Sequence, residues 1–306
     1  MKKEMKDKSK LKAIILTVAS VLFVLFVLLP LVFSLFDNKR TGNVALIPIE
    51  GLITGGGTDY LGSQTVSSKI IVNFIKEADE NPSVKVILLE INSPGGSAVA
   101  SDEIASTVKK TKKPTVALIR EVGASGGYWV ASATDYVIAN RMSITGSIGV
   151  ISSYLEFSGL MDQYGVGYER LVAGNLKDMG TPYKKLADNE KEVLQSKLDK
   201  IHEFFIEEIS KNRKLEISKV KEISTGEFFL GVEAYNLGLV DGLGDRDTTE
   251  EFIKSSYGLE KVHYAVYEQE KGLFDLFGNV LSKVSFKIGE GFASFLTKKS
   301  NSPLLM

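Results

Sequence analysis

Short apolar runs alternate with amphipathic segments along most of the chain after residue 43. The runs are almost continuously apolar, which is typical of parallel strands buried on both faces. Between them, apolar residues recur at helical spacing. The predicted strands are Val44–Ile49, Val84–Ile91, Thr115–Ile119 and Tyr136–Ala139, and the predicted helices are Ser67–Asp79 and Ser101–Lys110. This alternation predicts an α/β fold in which helices cover a parallel sheet.

The second half of the chain continues the pattern less regularly. Ser143–Ser153 is rich in Gly, Ser and Ile and predicts buried loop and strand, Ser158–Tyr164 predicts a short helix, and Tyr168–Val172 predicts a further strand. A long amphipathic helix is predicted over Asn189–Ser210, where Asn189 and Glu192 have the spacing of a capping box.

The N-terminal region predicts a membrane anchor. Residues 13–36 contain no charged side chain, and 24 helical residues span about 36 Å, enough to cross a ~30 Å hydrocarbon core with tilt. Six lysines precede this stretch, at positions 2, 3, 6, 8, 10 and 12, whereas only Lys39 and Arg40 follow it closely. The positive-inside bias therefore predicts a cytoplasmic segment 1–12, a single-pass anchor 13–36 in the cell membrane and an extracytoplasmic domain 37–271.

A cleaved signal peptide is the competing interpretation of the same stretch. Its apolar region should span only ~7–15 residues and end in small residues. Here the stretch is longer and ends at Phe33–Phe36 without such a site, which favours an anchor that stays attached.

The end of the chain, 272–306, carries a weaker amphipathic pattern. Two interpretations of this tail remain open. It packs on its own domain or a neighbouring one, or it covers a membrane surface or the active site.

Composition excludes several classes of function. Lys and Arg number 37 against 38 Asp and Glu, so the basic excess typical of nucleic-acid binders is missing and no nucleic-acid partner is expected. The chain has no cysteine, which excludes a disulfide framework, a thiolate zinc site and a cysteine nucleophile. With only His202 and His263 available, no metal site and no cofactor are expected.

One segment has the pattern of an activated serine. Ser125 lies in Gly123–Gly127 after a predicted strand and before a predicted helix, and small neighbours allow a sharp turn that exposes its hydroxyl. The N–H group of Gly126 could bind a developing oxyanion. A Gly-rich packing turn whose serine caps the helix is the structural alternative.

A second Gly-rich turn follows the preceding strand. Asn92–Gly96 ends another apolar run just before a helix, and ligands gather beyond the carboxyl ends of strands in open α/β sheets. Gly95 and Gly96 permit close approach of a substrate backbone and can present N–H groups, although a plain type II turn fits the same residues.

A nucleophilic serine needs a base. His202 is predicted on the flank of the long helix, and His263 lies in an alternating strand, so both favour structural roles. A lysine serves as base only when neutral, which requires the pKa of such a side chain to fall from ~10.4 towards 7, at a cost of about 4 kcal/mol. Lys177 lies in a short segment before the long helix, but the residues alone do not select it among the lysines, and an exposed cation paired with Asp178 is the alternative.

Five motifs together resemble the short form of bacterial signal peptide peptidase A, a family of membrane-anchored serine proteases with the Clp-protease/crotonase-like fold. The matching elements occur in the family's order within 44–257: Asn92–Gly96, Ala124–Tyr128, Thr145–Val150, Lys177–Asp178 and Gly231–Asp241.

The resemblance implies roles for particular residues. Ser125 would be the nucleophile and Lys177 the general base, Gly95, Gly96 and Gly126 would form the oxyanion and substrate-binding backbone, and Ser147 would orient the lysine. Gly123 and Leu176 depart from the family's usual residues, where Ala and Tyr or His are common. Leu176 could help to exclude water from the lysine.

The resemblance also implies a substrate and an assembly. Substrates would be apolar peptides left after signal-peptide cleavage, degraded in or near the membrane. A single copy of the domain implies a homo-oligomeric ring, an octamer in the family, with active sites shared between subunits. Two alternatives remain: an α/β-hydrolase-type esterase that uses Ser125 with His263, and a non-catalytic membrane scaffold of the same fold.

Overall fold

The structure is a computed structural model that describes residues 2–29, 40–56 and 64–268. Its strands are β1 (Val44–Glu50), β2 (Leu52–Thr54), β3 (Thr65–Ser67), β4 (Val86–Ser93), β5 (Thr115–Ala124), β6 (Tyr136–Ala139), β7 (Ile144–Gly146), β8 (Phe228–Leu230), β9 (Gly242–Leu243) and β10 (Tyr264–Val266). Its α-helices are α1 (Lys2–Phe23), α2 (Ser68–Glu80), α3 (Ala98–Val108), α4 (Gly126–Ser132), α5 (Ser158–Gln163), α6 (Asp188–Arg213), α7 (Ile217–Ile223), α8 (Gly231–Leu237) and α9 (Arg246–Tyr257).

A mainly parallel sheet organises the domain. Its central strands lie in the order β10-β1-β4-β5-β6-β9, and every pair along this path is parallel. Strand β7 pairs in parallel with the last residues of β5, and β8 pairs with β7 in antiparallel fashion. The short pair β2-β3 forms a separate sheet. The predicted α/β class with a parallel sheet is confirmed.

Both faces of the sheet are buried, as the continuous apolar runs predict. Alternate residues of β1 and β4, such as Ile47 and Leu89, pack beneath α2, α3, α4 and α6 in the larger core. Their neighbours along the same strands, such as Leu46 and Leu88, pack in a smaller core with Ile253 of α9. Period-two alternation thus directs successive side chains into two cores rather than into core and solvent.

A bulge between β4 and β5 shifts the end of β5. Ile91 pairs with Ile119, but the next pair is Ser93 with Gly123, so three residues of β5 oppose Asn92 alone. Beyond the bulge, β5 pairs with β7 instead of β6. The turns that follow β4 and β5 therefore emerge side by side at the carboxyl edge of the sheet.

The helix α1 covers the start of the predicted anchor and is followed by a π-helical turn, Val24–Leu28. The large apolar side chains from Ile14 to Leu29 are 42–67% exposed. Among the residues that the structure describes, no helix combines the length and apolar character needed to cross a membrane. Residues 30–36 of the predicted anchor and the tail 272–306 lie outside the described residues.

Two sequence predictions are wrong in detail. The predicted strand Tyr168–Val172 is irregular and largely exposed, because this segment lies outside the sheet and pairs with no described strand. The long helix begins at Asp188 instead of Asn189, and Glu190 rather than Glu192 accepts a hydrogen bond at its start, from the N–H of Ala187 at 3.0 Å.

Candidate active site

Ser125 occupies a strained turn between β5 and α4. Its backbone has φ 51° and ψ −122°, a combination that costs a non-glycine residue about 1–3 kcal/mol. Two backbone hydrogen bonds hold this geometry: the N–H of Ser125 donates to Gly146 O at 2.8 Å, and the N–H of Trp129 donates to Ser125 O at 2.9 Å. Such a strand–turn–helix corner projects a serine hydroxyl outward, as hydrolytic nucleophiles require.

The two Gly-rich turns that follow β4 and β5 lie against each other. A Cβ atom built on Gly95 would lie 2.7 Å from Gly126 N and 2.9 Å from Ser125 Cβ, so no larger residue fits there without a shift. Gly95 also has φ +104°, in the left-handed region that favours glycine. The side chain of Ser93 fixes this turn, because its Oγ accepts from Gly95 N at 3.1 Å and donates to Gly51 O at 2.6 Å.

Two backbone N–H groups beside Ser125, those of Gly96 and Gly126, have no acceptor among the residues that the structure describes. Gly126 is the first residue of α4, so its N–H has no partner within the helix. Gly96 is bridged to Ile53 through its neighbours, since Ile53 N donates to Gly95 O and Ser97 N donates to Ile53 O. Because this bridge uses the groups of Gly95 and Ser97, the Gly96 N–H faces away from Ile53. Gly96 N lies close to the start of α4, since a Cβ atom built on Gly126 would be 3.3 Å from it.

Ser125 lies between two adjoining cavities of different character. The first, of about 310 Å³, is mainly apolar on the side of α4 and α6. There Trp129 stacks on Phe205 with ring centroids 4.6 Å apart, and Leu198 and Ile201 complete the wall. The second cavity, of about 430 Å³, carries polar groups. Its polar side chains are those of Ser125, Ser147, Gln195, Asp199, His202 and Thr225.

Ser147 is brought into the second cavity with Ser125. It too adopts a left-handed backbone, with φ 50°. Its N–H donates to Glu227 O at 2.9 Å and its Oγ donates to Gly226 O at 3.1 Å. The hydroxyl is therefore fixed by the loop before β8 and retains lone pairs for a further donor.

Lys177 is not brought to Ser125 within one chain. It is exposed in the turn Gly174–Gly180, where its N–H donates to Gly174 O at 3.0 Å, and it lines neither of the two cavities. Within the described residues its amine has no hydrogen-bond or ion-pair partner. Lys177 is exposed, as in the structural alternative, but it does not pair with Asp178, whose carboxylate binds Arg170.

The two histidines are placed differently from one another. His263 is exposed just before β10, at the amino edge of the parallel sheet, whereas Ser125 follows β5 at the carboxyl edge. This separation speaks against His263 as the base.

His202 lines the polar cavity, and its Nε2 lies 3.2 Å from Ile148 O. From the sequence, His202 is predicted on the flank of the long helix, and the structure places this flank against the polar cavity. The spacing of His202 from Leu198 and Phe205 was the available signal.

A strained serine at a strand–turn–helix corner, two adjoining Gly-rich turns and an apolar cavity beside the serine are features typical of a serine hydrolase. The model described as peptidase family S49 matches residues 107–260, and that of the N-terminal domain of NfeD1b matches 44–157. The chain belongs to peptidase family S49 and is a serine protease of the SppA type.

Three curated relatives show the extent of the match. A candidate protease of Methanocaldococcus jannaschii is 32% identical over 271 residues, which cover 86% of this chain and 85% of that protein. A candidate signal peptide peptidase SppA of Enterococcus faecium is 32% identical over 241 residues, covering 78% and 70%. Protease 4 of Haemophilus influenzae is 32% identical over 204 residues, 66% of this chain but only 32% of its own length.

The contact between the two turns yields a prediction. In Gly95→Ala the new methyl group must push the turn away from Gly126 N, so the two oxyanion donors separate. We expect kcat/KM for a peptide substrate to fall about 100-fold or more, the loss typical of removing one such donor. Gly165→Ala is the matched control, since Gly165 has φ +71° but no atom within 4 Å of its Cβ position. A folded Gly95→Ala enzyme with activity close to the control would contradict the assignment.

Proposed function

We propose that this chain is a membrane-anchored endopeptidase with a Ser125–Lys177 dyad, in which the lysine comes from a neighbouring copy. The sheet would be of the Clp-protease/crotonase type that the motifs suggest. The observation that carries the proposal is the strained Ser125 beside the apposed Gly95–Gly96 and Gly126 backbones.

The catalytic cycle follows from these groups. The Ser125 hydroxyl attacks the peptide carbonyl while the neutral Lys177 amine takes its proton, and the N–H groups of Gly96 and Gly126 bind the resulting oxyanion. Collapse of this intermediate breaks the C–N bond, and the lysine returns the proton to the leaving amine. Water then attacks the acyl-serine ester with the lysine again as base, which releases the acid and restores Ser125.

The surroundings of Lys177 favour a shared site. A lysine base must be neutral, and burial away from water is the main physical route to that state. Within one chain the side chain of Lys177 is exposed to solvent. A second copy that covers the segment would both desolvate the amine and bring it to a serine.

The exposed apolar side chains of the same segment support assembly. Between α5 and α6 and in the loop before α5, large apolar groups face solvent in one chain, with Leu171 99% exposed. The most exposed members of this set are Ile151, Leu155, Tyr164 and Leu171. Clusters of this kind mark interaction surfaces. A head-to-tail ring would let each subunit offer its serine to one neighbour and its lysine to the other.

The substrate class is inferred from the apolar cavity. Its walls of Trp129, Leu198, Ile201 and Phe205 favour an apolar side chain next to the scissile bond. Remnants of signal peptides are rich in such side chains, and the relative from Enterococcus faecium carries the name of a signal peptide peptidase. We therefore propose signal-peptide remnants and similar apolar peptides as substrates.

Membrane attachment is inferred from the N-terminus. The uncharged stretch 13–36 and the lysines before it favour a single-pass anchor with a cytoplasmic N-terminus and an extracytoplasmic catalytic domain. The exposed apolar side chains of 14–29 support an apolar environment for this helix.

The dyad predicts the effect of two substitutions. Ser125→Ala and Lys177→Ala should each lower kcat/KM for an apolar reporter peptide by at least ~1000-fold, because each removes a group that acts in the transition state. Thermal unfolding should be unchanged. Lys185→Ala, another exposed lysine of the same segment, is the control and should keep wild-type turnover. Wild-type turnover in either variant would contradict the proposed Ser125–Lys177 dyad.

Mixing the two inactive variants tests whether the sites are shared. If Ser125→Ala and Lys177→Ala subunits combine at random in equal amounts, about a quarter of the contacts pair an intact serine with an intact lysine, by the geometry of head-to-tail contacts. Activity should return to about that fraction of the wild-type value. If oligomers that contain both variants stay inactive, the dyad lies within one chain or does not exist.

The anchor predicts the behaviour of the protein in membranes. The full chain should remain in the membrane fraction after an alkaline carbonate wash, because a spanning helix cannot be released by removing ionic contacts. A chain that begins at Arg40 should be released and should still react with a serine-directed reagent. Release of the full chain by the wash would count against the anchor.

A further inference from the structure

The acidic residue next to Lys177 is fully engaged elsewhere. Asp178 binds Arg170 through two parallel hydrogen bonds, from Nε to Oδ2 at 2.6 Å and from Nη2 to Oδ1 at 2.7 Å. The same Nη2 donates to Asn175 O at 3.3 Å, so Arg170 contacts the turn on both sides of the lysine. This two-point geometry is the strongest form of ion pair that a carboxylate makes.

A second layer ties this pair to α6. Lys184 Nζ lies 3.6 Å from Asp178 Oδ1 and donates to Glu190 Oε1 at 2.5 Å. Glu190 is buried and accepts from Ala187 N through its other oxygen at 3.0 Å. The chain of charges Arg170–Asp178–Lys184–Glu190 therefore connects the lysine turn to the first turn of a helix that packs on the core.

Among the described residues, few other contacts fix the position of this turn. Residues 164–187 form no helix or strand, and most of their side chains are exposed. Further links among the described residues include a ring contact between Tyr168 and Tyr183 with centroids 5.5 Å apart and hydrogen bonds from Phe157 N to Pro182 O at 2.8 Å and from Val166 N to Met161 O at 2.9 Å. Isolated surface ion pairs contribute little, but bidentate pairs in a network are the exception.

We propose that Asp178 is the positioning residue of the general base: through Arg170 and Lys184 it fixes the turn that presents Lys177 to the neighbouring serine. This inference rests on the proposed dyad. Arg170 and Lys184 also offset the charge of Asp178, so this carboxylate favours the charged ammonium form of the adjacent amine less than an unpaired carboxylate would.

The charge state of Asp178 suits this role. Its hydrogen bonds with Arg170 lower the pKa of the carboxyl to about 2. Since the folded value lies below the usual value of 3.8, the pair is intact above pH 4 and is lost only as the pH falls towards 2. The carboxylate is thus charged at every pH at which a lysine base operates.

Substitutions of Arg170 and of Asp178 should cause different kinetic defects. Asp178→Asn frees the turn and leaves Arg170 and Lys184 without their counter-charge, so the plateau of kcat should fall about tenfold or more while the midpoint of its rise with pH does not move to higher pH. Arg170→Gln frees the carboxylate to pair with Lys177, so that midpoint should move to higher pH by about one unit, within the range for a new opposite charge. The other charged groups near this turn, Lys184 and Glu190, are the same in both variants.

The experiment measures pH profiles of kcat for the full-length oligomer with an apolar fluorogenic peptide. Asp162→Asn, an exposed carboxylate in α5, is the control and should behave as wild type. The exchange Arg170→Asp with Asp178→Arg restores an ion pair between the two positions but not the link to Lys184, so it should recover only part of the plateau. In a Lys177→Ala background, Asp178→Asn should cause no further loss, because its effect acts through the lysine.

The outcomes separate the two proposals. If Lys177→Ala is inactive but Asp178→Asn matches the Asp162→Asn control, the positioning role is overturned and the dyad stands. If Asp178→Asn lowers residual activity equally with and without Lys177, the residue acts independently of the lysine and the inference also fails. If Lys177→Ala retains turnover, the dyad itself is wrong. Should Asp178→Asn unfold, the shift of the midpoint in Arg170→Gln decides.

Discussion

Three residues of β5, Arg120–Val122, oppose the single residue Asn92 of β4, and this unequal count sets where Ser125 lies. Side chains replace the ladder partners that the bulge removes. Asn92 Oδ1 accepts from Val122 N at 3.2 Å, and the buried Ser143 Oγ donates to the carbonyls of Ile119 and Arg120. Since buried backbone groups must be paired, these two side chains allow the bend to exist inside the sheet.

The bend determines the position of Ser125 because it pairs the end of β5 with β7. After the bulge, Gly123 and Ala124 pair with Thr145 and Gly146, and the carbonyl of Gly146 then accepts the N–H of Ser125. The strain at Ser125 is thus held by a strand that is itself fixed on its other edge by β8. Strained geometries persist only where their surroundings over-determine them, and here two strands, a helix start and the Gly95 turn all contribute.

The sequence predicted those parts of the molecule in which neighbours along the chain are also neighbours in space. Continuous apolar runs predicted the strands, and Asn92–Gly96 with Gly123–Gly127 predicted two turns at one edge, because parallel strands place their carboxyl ends together. The bulge could not be predicted, since it depends on the side chain of Ser143, which reaches β5 from the start of β7.

The segment between α5 and α6 was the least predictable part. Tyr168–Val172 contains residues that favour strands, such as Tyr168 and Val172, but such residues form a strand only where an edge is available for pairing. Instead Arg170, within that run, binds Asp178 eight residues later. The polar cavity was also missed, because Asp199 and His202 reach it from the flank of an amphipathic helix, a position that is usually solvated.

The proposed dyad joins two halves that are held by different forces. The serine half rests on backbone hydrogen bonds and a dry core, which are insensitive to salt, whereas the lysine half rests on charges at an exposed surface, which salt screens. In a lone chain Lys177 is exposed and lies away from the cavities beside Ser125, so under the proposal that serine would lack its base. Under the proposal, assembly supplies both proximity and the loss of water that a neutral amine requires, at a cost of about 4 kcal/mol that subunit contacts must offset. Proteolytic activity would then be confined to the assembled form, because only there would Ser125 of one subunit meet Lys177 of another.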